Sequence, residues 1–417
     1  MSPSFLHLLV QNRSSRIGLL ALVVLPGCEP SEDAPTQPEE PAAYLYKKYT
    51  GGTGVDGYAS TADFADATAY YARAAVDLSG LPGQRGSGVV PATLEDFKIQ
   101  FNIPTQDEGE TVDQYRDRIN ASVYFNQNEL GLGRELVCSE ASPETNDQPG
   151  FVDSDGVSIG VACYVTNYAG DGAFYDMDGA MSNATSDEPS PKNTVAITFR
   201  PTRPDGEQVQ FWVFGATGLI QNWAQLDHHE GLDDKDEQRP VPSVCIECHG
   251  GNYTQGQGVA RSAHFLPVNP VAVNLSYSPP DIHDRMRAAN CVAWNSGSMT
   301  ALQFAWLKSV YGEEGPCEGS TEQEAAPPGW ESEADAKLWN KSVLPYCGTC
   351  HLAMPELKLL ESAEIFRSIP LSSDVCGSST RRPVMPHALP TFREMWSGSP
   401  SAGSLLVAAH PELGSCP

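Results

Sequence analysis

The spacing of apolar positions changes character partway along the chain. From 46 to 240 apolar residues come mostly in short runs. Val157–Val165 is one, Thr194–Arg200 alternates, and Val209–Phe214 is aromatic and β-branched. These read as strands, and Pro201 to Glu207, containing Pro204-Asp205-Gly206, reads as a turn joining the last two into a hairpin. Two helices flank them. Ala59–Leu78 carries Phe64, Ala67, Tyr71, Ala74 and Ala75 at helical spacing; Thr93–Phe101 opens on a capping Thr93, with Asp96 three residues on. Past 240 the helical period dominates, in Ala301–Tyr311, Ala334–Leu344, Glu356–Ser368 and Ser404–His410. The expected class is α+β: an N-terminal antiparallel β-rich domain with flanking helices, then a mainly α region.

The N-terminus has its own pattern. Arg13 and Arg16 precede an apolar run from Ile17 to Leu25, too short to span a bilayer, so residues 1–27 read as a signal peptide. Leu25-Pro26-Gly27-Cys28 resembles a bacterial lipobox, which implies lipidation of Cys28. Glu29 after that Cys, where Asp would favour inner-membrane retention, points to the outer membrane, on the periplasmic side of the cell envelope. Residues 28–45, rich in Pro and Glu, read as a tether. Loss of the leader removes two Arg and no acid, taking the net charge from −27 to −29. Such a chain repels nucleic acid and suits a basic partner or a salty compartment. No second apolar run is long enough to cross a membrane.

Two segments carry the chemistry. Cys245-Ile246-Glu247-Cys248-His249 and Cys347-Gly348-Thr349-Cys350-His351 both read C-x-x-C-H, the spacing at which two thiols bond to a haem's vinyl carbons. On a helical turn the two Cys share a face, and the His that follows becomes the proximal iron ligand. A split four-Cys zinc site is the competing reading, with a thioredoxin-like CxxC weaker still for want of a βαβ pattern. Of the eleven Cys, four for haem and Cys28 for lipid leave Cys138, Cys163, Cys291, Cys317, Cys376 and Cys416. Locality pairs them as Cys138–Cys163, Cys291–Cys317 and Cys376–Cys416, as suits an exported protein. His228-His229 between Asp227 and Glu230, and Asp153-Ser154-Asp155-Gly156, read as acidic surface turns rather than metal sites.

The stretch from Cys245 to Pro417 resembles di-haem c-type cytochromes, most closely over 345–386. Tyr124-Phe125-Asn126 and Leu130-Gly131-Leu132-Gly133-Arg134-Glu135 look like a group of exported bacterial lipoproteins with C-terminal haem motifs. The resemblance implies two c-type haems on a mainly α, cytochrome c-like region, divided at Pro327-Pro328-Gly329 into modules 241–330 and 331–417. The β-rich domain, 46–240, has no assigned role. Arg382-Pro383-Val384-Met385-Pro386 resembles the distal Met-Pro loop of small bacterial cytochromes c, making Met385 the second ligand opposite His351, with Met395 and His387 in reserve. A thioether there raises the potential. Met354 follows His351 too closely to reach the other ring face. Opposite His249 the candidates are His264, then Met299, with His228, His229, His283 and Met286 further back. The implied function is electron transfer with a redox partner protein, from a lipid-anchored position. The alternatives are a di-haem peroxidase, or a β domain that binds a substrate or partner whose electrons the haems drain.

Overall fold

Strand pairing organises the first half of the protein. In the computed structural model, which describes residues 61–76, 90–128, 130–140, 160–170, 176–200, 206–224, 239–254, 259–270, 273–274, 278–319, 326–355, 358–371, 394–396 and 402–415, five strands form one antiparallel sheet. They are β1 (Ser122–Asn126), β2 (Leu132–Glu140), β3 (Val161–Tyr168), β4 (Asn193–Phe199) and β5 (Val209–Gly215), hydrogen-bonded in chain order. Helices α1 (Thr61–Val76), α2 (Leu94–Gln100) and α3 (Val112–Arg118) precede the sheet, and α4 (Met177–Ala184) lies between β3 and β4. The expected α2 cap is present: Thr93 Oγ1 accepts from the Asp96 amide and Asp96 accepts from the Thr93 amide, both at 3.0 Å. The β4–β5 hairpin pairs Asn193 with Gly215 through to Phe199 with Val209.

Alternation along the strands sends side chains to opposite faces. Val123, Phe125 and Tyr168 pack under α4, where Gly133 leaves room for the Ala180 carbonyl; a Cβ there would stand 2.7 Å from it. Tyr124 and Tyr164 face the main core instead. β5 is an edge strand, so its outward amides need partners from elsewhere. α1 supplies them: the Phe211 amide donates to Tyr70 Oη at 2.6 Å and the Val213 amide to Tyr71 Oη at 3.2 Å. Tyr71 also stacks on Trp212, with ring centroids 5.6 Å apart. Buried Arg116 on α3 meets buried Glu135 on β2 at 2.7 Å.

Short pairs β6 (Trp223–Ala224) with β7 (Arg239–Pro240) and β8 (Asn252–Thr254) with β9 (Val259–Arg261) bracket α5 (Ser243–His249). Then come α6 (Ile282–Ser296), α7 (Ala301–Tyr311), α8 (Gly315–Glu318), α9 (Glu333–Leu338), a π-helical stretch Trp339–Gly348, α10 (Thr349–His351), α11 (Ala363–Ser368) and α12 (Ala402–Ala409). Several expected elements take other bounds in the structure. The helix expected over Ala334–Leu344 is α only to Leu338 and then widens. Pro345 has no N–H for the Lys341 carbonyl, and the π register accommodates the loss. Among the described residues of Glu356–Ser368 the helix is Ala363–Ser368, started by Ser362, whose hydroxyl accepts from the Ile365 amide. The strand expected at Val157–Val165 runs on past Val165 to Tyr168, as β3, with 157–159 outside the described residues.

Cys138 and Cys163 face each other in the β2–β3 register and form a disulfide, and Cys291–Cys317 forms a second between α6 and α8. One hydrophobic core runs from Ala67 on α1 to Leu413 beyond α12, through both halves of the chain. Among the described residues no helix is long and apolar enough to cross a membrane.

Candidate functional site

α5 carries the whole first C-x-x-C-H segment, which puts Cys245 and Cys248 on one helical face and His249 at the last position. The helix ends because Gly250 turns to φ +69° and Gly251 to φ +82°, backbone that side chains resist. His249 is held by a reciprocal pair of bonds. Its Nδ1 lies 2.8 Å from the His264 carbonyl, and the His264 amide donates back to the His249 carbonyl at 2.9 Å. A carbonyl can only accept, so Nδ1 carries the proton and Nε2 the lone pair. The described residues give that Nε2 no hydrogen bond. Phe211 of β5 packs on the ring at 4.9 Å. Burial pushes the His249 pKa down to about 4, against the raising effect of the His264 bond.

The second segment straddles two helix types: Cys347 and Gly348 end the π-helical stretch, and Cys350 and His351 lie on α10. Neighbours hold its backbone. Asn269 Nδ2 donates to the Leu344 carbonyl at 3.0 Å, and Thr300 Oγ1 to the Leu352 carbonyl at 2.7 Å. Burial pushes the His351 pKa down to about 4 and the Cys347 thiol up to about 12. His351 Nδ1 is buried and has no hydrogen-bond partner among the described residues. An orphan of that kind costs about 1–3 kcal/mol.

Although far apart in sequence, the two segments meet. α5 packs against α10, and Gly250, next after His249, lies against the backbone of Ala353, two residues past His351. Cys138–Cys163 and Cys291–Cys317 are two of the three disulfides expected from the sequence, and Cys245, Cys248, Cys347 and Cys350 take part in none. Among the described residues no three His, Cys, Asp or Glu side chains gather as they would around a metal ion. The donor types at each segment are those that a covalently attached porphyrin would use. Each motif offers two half-buried thiols near a neutral imidazole, and at His249 the nitrogen left over is the one an iron would take.

His264 sits on the Nδ1 side of His249, with its own Nδ1 2.7 Å from the Ser298 carbonyl. Met286 and Met299 are buried in the core and His283 is exposed. Met395 is buried on a helical turn, and Met354 is half-buried. Met385, His387, His228, His229, the turn at 153–156, Cys28, Cys376 and Cys416 lie outside the described residues. Sequence reasoning missed Phe211, Ser298 and Thr300, which touch or hold the site from distant elements. The Gly250-Gly251 pair directly after His249 is the one sequence signal that a close backbone approach lay there. No family model, curated protein or solved structure matches this chain.

Proposed function

We propose that this protein is an exported, c-type cytochrome-like electron carrier that holds two haems, one on Cys245, Cys248 and His249 and one on Cys347, Cys350 and His351. The packing of α5 against α10 carries this reading. Two haem-attachment segments distant in sequence converge on one contact, the arrangement a chain needs to pass electrons between two centres inside one core. Bound iron would supply a one-electron couple at each centre. The chain's own part is to keep both imidazoles neutral by burial and, at His249, to fix the ring's orientation. Met385 is the candidate second ligand at the His351 centre. Two disulfides and a leader with a lipobox-like Cys28 support a periplasmic position, lipid-anchored and favouring the outer membrane. The acidic surface suits a basic redox partner.

Expression in a host with periplasmic haem-attachment machinery tests the reading. The mature protein should gain the mass of two haems, which survive acid denaturation, and should titrate reversibly with two low-spin centres. Cys245→Ala with Cys248→Ala should remove one haem, and Cys347→Ala with Cys350→Ala the other. A mature protein without covalent haem would overturn the proposal.

A further inference from the structure

We infer that His264 is a positioning residue that braces His249 from behind, and that this brace makes the two centres unequal. The inference rests on the haem reading above and goes beyond it. His264 holds the Nδ1 edge of the imidazole, across the ring from Nε2, the nitrogen that a metal would take. A residue whose main chain is bonded twice to His249 on that edge would not also reach the far side of a group held on Nε2.

The brace is built from both sides. The His264 ring donates through Nδ1 to the Ser298 carbonyl at 2.7 Å, which fixes the residue whose carbonyl receives the His249 proton. Ser298 is itself held by its own amide, which donates to Ser296 Oγ at 3.1 Å. One residue on, the Phe265 carbonyl accepts from Gln303 Nε2 of α7 at 2.9 Å. The strap carrying His264 is therefore anchored to the end of α6 and the start of α7. His351 has no counterpart, since its Nδ1 lacks a partner among the described residues. A bond accepted from Nδ1–H makes the other ring nitrogen a stronger donor, and a stronger donor favours oxidised iron. The brace lowers the potential of the His249 centre; among the described residues no such bond acts on His351.

His264→Phe keeps the ring volume and removes the bond to Ser298. The variant is expected to keep two covalent haems, both low-spin by visible and EPR spectra, with one of the two potentials shifted upward and the other unmoved. Appearance of a high-spin haem would make His264 an axial ligand and overturn the inference. Two unmoved potentials would reduce His264 to packing and overturn it as well. A variant that fails to fold leaves a direct measurement on the unaltered protein. In nitrogen-15 NMR the His249 Nδ1–H should give a hydrogen-bonded signal and the His351 Nδ1–H an unbonded one, and matching signals would refute the asymmetry. A haem-free parent protein would defeat the functional reading, a result separate from all of these.

Discussion

A Cβ on Gly250 would stand 2.2 Å from the carbonyl oxygen of Ala353, so the residues just past the two C-x-x-C-H segments touch backbone to backbone. Gly250 also sits at φ +69°, so an L side chain is opposed twice there, by local sterics and by α10's neighbour. Gly250→Ala should destabilise the protein by about 2–4 kcal/mol, the sum of left-handed strain and a forced separation of the two helices. Urea unfolding measures it. Equal midpoints for variant and parent would show that the segments do not meet as described.

The two disulfides make a compartment-dependent prediction. Each closes a short loop, 25 residues apart for Cys138–Cys163 and 26 for Cys291–Cys317. Chain-entropy reasoning gives about 3–4 kcal/mol for a loop of that size. Reductant should lower the Tm, and Cys138→Ser with Cys163→Ser should abolish part of that sensitivity. A melting curve indifferent to reductant would argue that neither bond matters to stability.

Much of this fold was legible because it is local. The capping pair Thr93/Asp96, the β4–β5 hairpin and α7 each follow from a few adjacent residues. What escaped was set by distant contacts. β1 and β2 are strands because they pair with each other and with β3. Ser122 and Asn126, on β1, are buried polar residues that no alternation rule expects. α6 was missed because its mean polarity is high; Asn290 and Arg285 are buried through bonds to other elements. Asn290 Nδ2 reaches Tyr311 Oη at 3.0 Å, and Arg285 reaches Asp117 at 2.7 Å. The cysteines and histidines of the candidate site were readable from spacing. The side of His249 on which His264 would fall was not, because it depends on where α6 ends and α7 starts.

Acid should destabilise the chain through the same two imidazoles. Burial lowers both His249 and His351 from an ordinary value of 6.5 to about 4. The unfolded chain therefore binds protons at a pH where the folded chain does not. Stability is full above about pH 6.5 and falls as pH drops toward 4, by up to about 3 kcal/mol for each residue. In the chain lacking haem, urea midpoints across this window should fall with pH, and His249→Gln should remove roughly half the slope. A flat profile would contradict the burial of both rings.

The β-rich half should support the His249 centre through a single side chain. Phe211 and Phe214 lie three residues apart on β5, so alternation sends them to opposite faces, and both are buried. Phe211 packs on the His249 ring at 4.9 Å, whereas Phe214 packs on Phe97 of α2 at 5.7 Å. Truncating either to Ala should cost about 3–5 kcal/mol, because each leaves a cavity the surrounding core cannot close. The two variants should then diverge in the ring they disturb. Phe211→Ala removes one wall of the His249 pocket and should shift the NMR signals of that imidazole, together with the spectrum of any group bound to it. Phe214→Ala should leave both unchanged at equal loss of stability. If both variants, or neither, moved the His249 signals, β5 would have no specific hold on the site, and the sheet would contribute bulk stability alone.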